Sequence, residues 1–214
     1  QVQFAAVEFV MPQRTSFVAF RGTDDSIVGW KEDFMLSFSR IPAQTLAAQY
    51  LQEVIRFGRK YYVGGHSKGG NLAVYACAWL TPRRLSQVIR IYDNDGPGFC
   101  PDVFDMERIR AVEDKVVRIL PEFCMIGKAY EYVFKDTAIV KSKNIGADQH
   151  DMMSWLMDGM DLQKTDKHDR ISIWLTDTIM QWSNEATLEE RKIFIDEFFA
   201  ALAAGGAQTM QQVT

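Results

Sequence analysis

Gly65-His66-Ser67-Lys68-Gly69 lies between a strand-like run, Tyr61-Tyr62-Val63, and a helix-like run over residues 71–80. It is a G-x-S-x-G pentapeptide in the setting that gives the motif a meaning. A strand that turns directly into a helix leaves no room for a Cβ beside the turn, so glycine is needed on both sides of the serine. Such a turn raises the serine hydroxyl above the sheet edge, and the helix aims its first N–H groups and its dipole at the same place. Three fixed Gly and Ser positions recur by chance in roughly one chain in fifteen of this length, so the flanking strand and helix carry the argument. The reading is a nucleophilic Ser67; an ordinary glycine-rich turn is the bland alternative.

The 214 residues suffice for one sizeable core, and residues 1–214 are expected to form a single domain. Hydrophobic residues make up 47% and charged residues 24%, as in ordinary globular chains. A net charge of −4 without a basic run argues against a nucleic-acid partner. No apolar run reaches the length of a membrane span. Cys77, Cys100 and Cys124 show no paired spacing and read as reduced thiols of a cytoplasmic protein. No metal motif is present, and the glycines at 64, 65, 69 and 70 lack the Lys-Ser/Thr pair of a phosphate loop. No cofactor is expected. The chain begins at Gln1 almost directly in strand-like sequence, so a native N-terminal segment is expected to precede it.

Hydrophobic periodicity predicts a hairpin over residues 3–20, a loop at 21–26 and helices near 29–37 and 42–57. The second of these helices is expected to bury Leu46, Tyr50, Leu51, Val54 and Ile55. Strands follow at 61–64, 87–92 and 116–120, with a helix at 102–113 between the last two, then strands at 129–134 and 137–142. The pattern from 148 onward reads as helical, with long helices near 170–183 and 187–204. Strands alternating with helices give an α/β class with a mainly parallel central sheet flanked by helices, an N-terminal hairpin and C-terminal helices.

A serine needs a base to take its proton. His66 is adjacent to Ser67 and is expected to pack behind the turn; His168 sits in a charged stretch. His150, in a loop after a strand, is the candidate base. A carboxylate between Ser67 and His150 must hold the imidazole. Asp95 is favoured because Gly96-Pro97-Gly98 fixes it; Asp93 and Glu122 remain open. Oxyanion donors are expected from the Lys68 N–H and from Thr23 in the loop after the early strand.

Phe20-Arg21-Gly22-Thr23-Asp24-Asp25, Trp30, Asp33 and Gly65-His66-Ser67-Lys68-Gly69-Gly70-Asn71-Leu72-Ala73 resemble the fungal triacylglycerol lipases. Gly29-Trp30-Lys31-Glu32-Asp33-Phe34, Pro42-Ala43-Gln44, Asp95-Gly96-Pro97-Gly98-Phe99 and Gln149-His150-Asp151 resemble a bacterial domain-of-unknown-function branch of lipase-like α/β-hydrolases. The resemblance covers nearly the whole chain. It implies an α/β-hydrolase fold, Ser67 and His150 as catalytic residues and Thr23 in the oxyanion hole. Fungal lipases carry their acid after the strand equivalent to 116–120, where this chain has Glu122; other lipases carry it one strand earlier, which fits Asp95. A hydrolase of carboxylic esters, with a small ester or lipid substrate, is one expectation. A binding or scaffold protein that keeps the fold without turnover is the other. The apolar stretch 123–134 reads either as an acyl pocket or lid, or as core.

Overall fold

The computed structural model describes residues 3–23, 26–36, 39–130, 134–206 and 208, without the side chains of 28, 30 and 32–34. Asp24, Asp25, the side chains of Trp30 and Asp33, and residues 131–133 of an expected strand therefore lie outside the described residues.

Strands β1 (Ala6–Met11) and β2 (Thr15–Phe20) form the N-terminal hairpin. Helices α1 (Ile27–Leu36) and α2 (Pro42–Val54) follow. Then come β3 (Lys60–His66), α3 (Lys68–Ala78), the short α4 (Pro82–Leu85) and β4 (Val88–Asn94). A short α5 (Met106–Arg110) precedes β5 (Val116–Pro121) and β6 (Asp136–Val140). Three two-residue strands, β7 (Met157–Asp158), β8 (Asp161–Leu162) and β9 (Lys164–Thr165), lead to α6 (Arg170–Glu185) and α7 (Leu188–Ala203).

The main sheet has the order β1-β2-β3-β4-β5-β6-β9. Strands β2 to β6 run parallel; β1 and β9 cap the two edges antiparallel. Its central strands and the helix after the serine are the best buried parts of the chain. Every residue of α3 is buried, which is why that helix is apolar almost all round rather than striped. Leu72 is fully buried, and truncating it to alanine would cost about 2–5 kcal/mol. A parallel sheet with flanking helices and a strand-serine-helix turn at its centre is the α/β-hydrolase architecture.

Five expectations are corrected. Helix α2 stops at Val54 because the Tyr61 hydroxyl takes over the next bonds, donating to Val54 O (3.0 Å) and accepting from Arg56 N (3.0 Å). Its buried face is Ala43, Gln44, Ala47 and Leu51, while Leu46 is exposed, since the small residues let α2 lie close on α3. The helix expected over 102–113 shrinks to α5, where Asp105 caps the first turn by accepting from Glu107 N and Arg108 N. Ala129 and Tyr130 belong to a turn rather than a strand, Tyr130 with φ +50°. Between 148 and 165 the chain makes 3₁₀ turns (Gly146–His150 and Met152–Ser154) and the β7–β8 hairpin around Gly159, not a helix, whereas the two long helices expected after it are present as α6 and α7.

Candidate active site

Ser67 has φ 55° and ψ −128°. A side chain held there stores on the order of 1–3 kcal/mol of backbone strain, which the surroundings over-determine. Its N–H donates to Asn94 O (2.9 Å) and its carbonyl accepts from Gly70 N (2.9 Å). The glycines make the turn possible: a Cβ on Gly65 would lie 2.7 Å from Phe20 O, and one on Gly69 3.0 Å from Phe20 C. The end of β2 therefore packs directly on the turn. Gly22 continues this contact, since its Cβ would stand 2.8 Å from His66 O and 3.7 Å from the Ser67 Cβ. The loop carrying Thr23 thus starts beside Ser67. Lys68, buried, opens helix α3, so its N–H belongs to the positive end of that helix.

His150 ends the first 3₁₀ turn, and its Nδ1 lies 2.6 Å from Asp95 Oδ2. An ionised carboxylate only accepts, so Nδ1 carries the proton and Nε2 is left as the basic nitrogen. Asp95 follows β4 with φ +51°, a backbone region that Asp tolerates better than most residues. Its N–H donates to Ile119 O (2.8 Å), which seats it between β4 and β5. Burial alone would raise the Asp95 carboxyl; the His150 bond and charge, the Cys124 thiol and nearby His66 outweigh it and hold the group below its ordinary value.

The other two carboxylates do different work. Asp93 is buried and pairs with the equally buried Arg118 (Oδ2 to Nη1, 3.0 Å), while its Oδ1 accepts from Gly96 N (3.0 Å). It braces the turn under the serine. Burial pushes its carboxyl up to about 6, against the lowering effects of Arg118 and the Gly96 N–H. Glu122 contributes its backbone: N to Val140 O (3.1 Å), and O from Asp169 N (2.7 Å). Among the described residues its carboxylate makes no bond to His150. His168, in its charged stretch, is half-buried with Nδ1 against Pro121 O (3.2 Å).

His66 does not pack behind the turn. Its ring stands 4.5 Å from the His150 ring, and its Nε2 donates to the His150 carbonyl (2.6 Å). Burial, then the neighbouring His150, lowers its pKa, so it stays a neutral donor. Ser67 and His150 are linked through this residue, which adjoins one and touches the other. Trp155 Nε1 donates to Gln149 O (2.9 Å), and Gln149 Oε1 accepts from Phe123 N (2.9 Å), anchoring the histidine loop on both sides. Asn71 Nδ2 donates to Pro97 O (2.9 Å), and its Oδ1 accepts from Gln44 Nε2 (3.0 Å). Two motifs quoted from the sequence, Pro42-Ala43-Gln44 and Asn71, thus meet to pin the turn after the acid. The described part of the 123–134 stretch is bonded into the same scaffold, with Gly98 N on Ala129 O (2.8 Å) and Phe99 N on Tyr130 O (3.1 Å). It is a buttress rather than a free lid.

No helix of the described residues is long and apolar enough to cross a membrane. No curated protein sequence matches the chain. A solved structure titled "Crystal structure of M37 lipase" is similar at 19% identity over 59% of this chain and 57% of that one, with a TM-score of 0.41. The match thus spans a little over half of that lipase. The model of the Mbeg1-like family matches residues 1–200. On that match, which takes in the serine turn and both partners of the His150–Asp95 bond, the chain belongs to the Mbeg1-like family.

Proposed function

We propose that the chain is a serine hydrolase of carboxylic esters, with Ser67 as nucleophile, His150 as base and Asp95 as acid. The observation that carries the reading is the buried Asp95 carboxylate on His150 Nδ1, beside a serine held at positive φ between β3 and α3. His150 Nε2 takes the hydroxyl proton as Ser67 Oγ adds to the ester carbonyl. The charge that forms on the carbonyl oxygen falls to the Lys68 N–H and to Thr23. Collapse of the intermediate expels the alcohol, which takes the proton from His150 and leaves an acyl-enzyme. Water, activated by the same nitrogen, releases the acid. Asp95 stays ionised throughout, in keeping with its lowered carboxyl.

Lipid or lysolipid esters are the proposed substrate class. Met152 and Met153, just after His150, are exposed, as are Ile171 and Trp174 at the start of α6 beside Glu122. Flexible methionines and aromatic rings suit acyl chains. The three free cysteines are buried thiols, which suits the reducing cytoplasm. Hydrolysis of nitrophenyl esters of rising chain length and of a lysophospholipid, by the parent and by Ser67→Ala, tests the proposal. Ser67→Ala is expected to lose on the order of a thousandfold or more. Equal rates refute the assignment, and a folded parent inert on every ester favours a binding protein.

A further inference from the structure

We infer that Cys124 is a positioning residue of the acid: its thiol hydrogen holds one oxygen of Asp95 so that the other faces His150. The inference rests on the reading of Ser67, His150 and Asp95 as a triad.

The Asp95 carboxylate divides its two oxygens between two tasks. Oδ2 meets His150 Nδ1 at 2.6 Å. Oδ1 accepts from the Cys124 thiol (3.0 Å) and from Gly127 N (3.1 Å). Two donors on one oxygen stop rotation of the carboxylate about its last bond. A buried cysteine is most often a small hydrophobe, but here the sulfur is placed by convergence. A Cβ on Gly127 would lie 2.5 Å from both Asp95 Oδ1 and Leu120 Cδ2, and 3.0 Å from Cys124 Sγ. Gly127 is therefore the residue that lets its own N–H and the thiol reach the same oxygen. Arg118 fixes the two turns relative to each other, since its Nη2 donates to Gly96 O after the acid and to Gly127 O after the thiol.

The proton sits on sulfur. Burial, then the Asp95 charge, holds the Cys124 thiol well above its ordinary value, while Asp95 is held below its own. The thiol is thus a donor at every working pH. His66 and Asp95 flank His150, and Asp151 acts on His66. Asp95 is faced by His150, Cys124, His66 and Asp93, with Arg118 beyond Asp93. Of these, Cys124 is the side-chain donor to Oδ1, the oxygen turned away from His150. Removing it returns charge to the carboxylate, which favours imidazolium, and frees the carboxylate to turn.

The test compares Cys124→Ala and Cys124→Ser in the full chain. His150 is titrated by the NMR signals of its ring, and kcat/KM for a short nitrophenyl ester is followed against pH. Cys124→Ala is expected to raise the His150 pKa and the acidic limb by about half a unit, because a donor to its counter-charge is gone. It should lower kcat by about three- to tenfold with KM unchanged. Cys124→Ser, a stronger donor, should restore kcat and bring the His150 pKa and the acidic limb below those of the parent. Packing alone would move stability but not the titration. An unmoved titration and profile in Cys124→Ala, or a Cys124→Ser that behaves like it, overturns the inference. If the parent hydrolyses no ester, the triad reading fails, and the NMR titration still decides the role of Cys124. Should Cys124→Ala not fold, Cys124→Ser decides alone: a stronger donor lowers the His150 pKa, and an unchanged value refutes the assignment.

Discussion

Replacing Arg118 by methionine keeps most of the side-chain volume and removes the charge under the serine turn. Arg118 is 1% exposed, pairs with Asp93 at 3.0 Å and donates to Gly96 O at 3.0 Å and to Gly127 O. In the variant the Asp93 carboxylate keeps the Gly96 N–H and loses its counter-ion. Breaking a buried pair from one side costs about 3–5 kcal/mol. At roughly 2–4 °C per kcal/mol for a chain of this size, Tm should fall by about 6–20 °C. The sign of the pH dependence follows from Asp93, whose carboxyl is already pushed up to about 6. A carboxyl raised on folding contributes stability that is full below its unfolded value of about 3.9 and lost as pH rises through the folded value. Without Arg118 the folded value climbs further, so the loss continues above pH 6. The gap between variant and parent should therefore widen from pH 5 to pH 8 in thermal melts followed by circular dichroism. Adding Asp93→Asn to the variant should narrow it. A gap below about 1 kcal/mol, or one independent of pH, would show that the pair does not brace the turn.

Asp95→Asn keeps the shape but reverses the preferred imidazole tautomer; hydrolysis should fall by up to about ten-thousandfold, as the same substitution costs a serine-protease triad. Glu122→Gln should cost little, and a swap of the two results would move the acid to the strand used by the fungal lipases. Activity should rise with pH as the His150 imidazolium gives up its proton. His66, whose pKa burial and then His150 push below the ordinary imidazole value, should add no second step above that range. A flat rate from pH 5 to pH 8 would argue against a histidine base. His66→Ala removes the donor to the His150 carbonyl, so kcat should drop by about tenfold while the fold survives; an unchanged kcat would make His66 a packing residue only.

Much of this arrangement could be read from the chain, and the rest could not for physical reasons. The serine turn was legible because its glycines answer to backbone atoms a short distance away, and such close approach leaves only one residue type. The parallel strands β2 to β5 were legible from runs that alternate with helical periods. Residues 148–165 were not. Met152, Met153, Leu156, Met157 and Met160 recur at near-helical spacing, yet they sit largely exposed on turns and a two-residue hairpin. Asp93 and Asp95 flank one asparagine and look alike in sequence. Only the register of β4 and the position of Arg118 send one beneath the serine and the other to His150. Cys124 and Gly127 carried no signal, because their role exists only where two separate turns converge. The place of His66 lies beyond local reasoning: neighbours in a tight turn diverge, but His150 arrives from 84 residues away to meet the ring that points aside.

A fluorophosphonate probe followed by peptide mapping asks most directly whether Ser67 is an activated nucleophile. The folded parent should gain a single adduct on Ser67, Ser67→Ala should gain none, and His150→Ala should be labelled far more slowly at neutral pH. A folded parent that stays unlabelled, or an adduct on a residue other than Ser67, would contradict the serine-hydrolase reading.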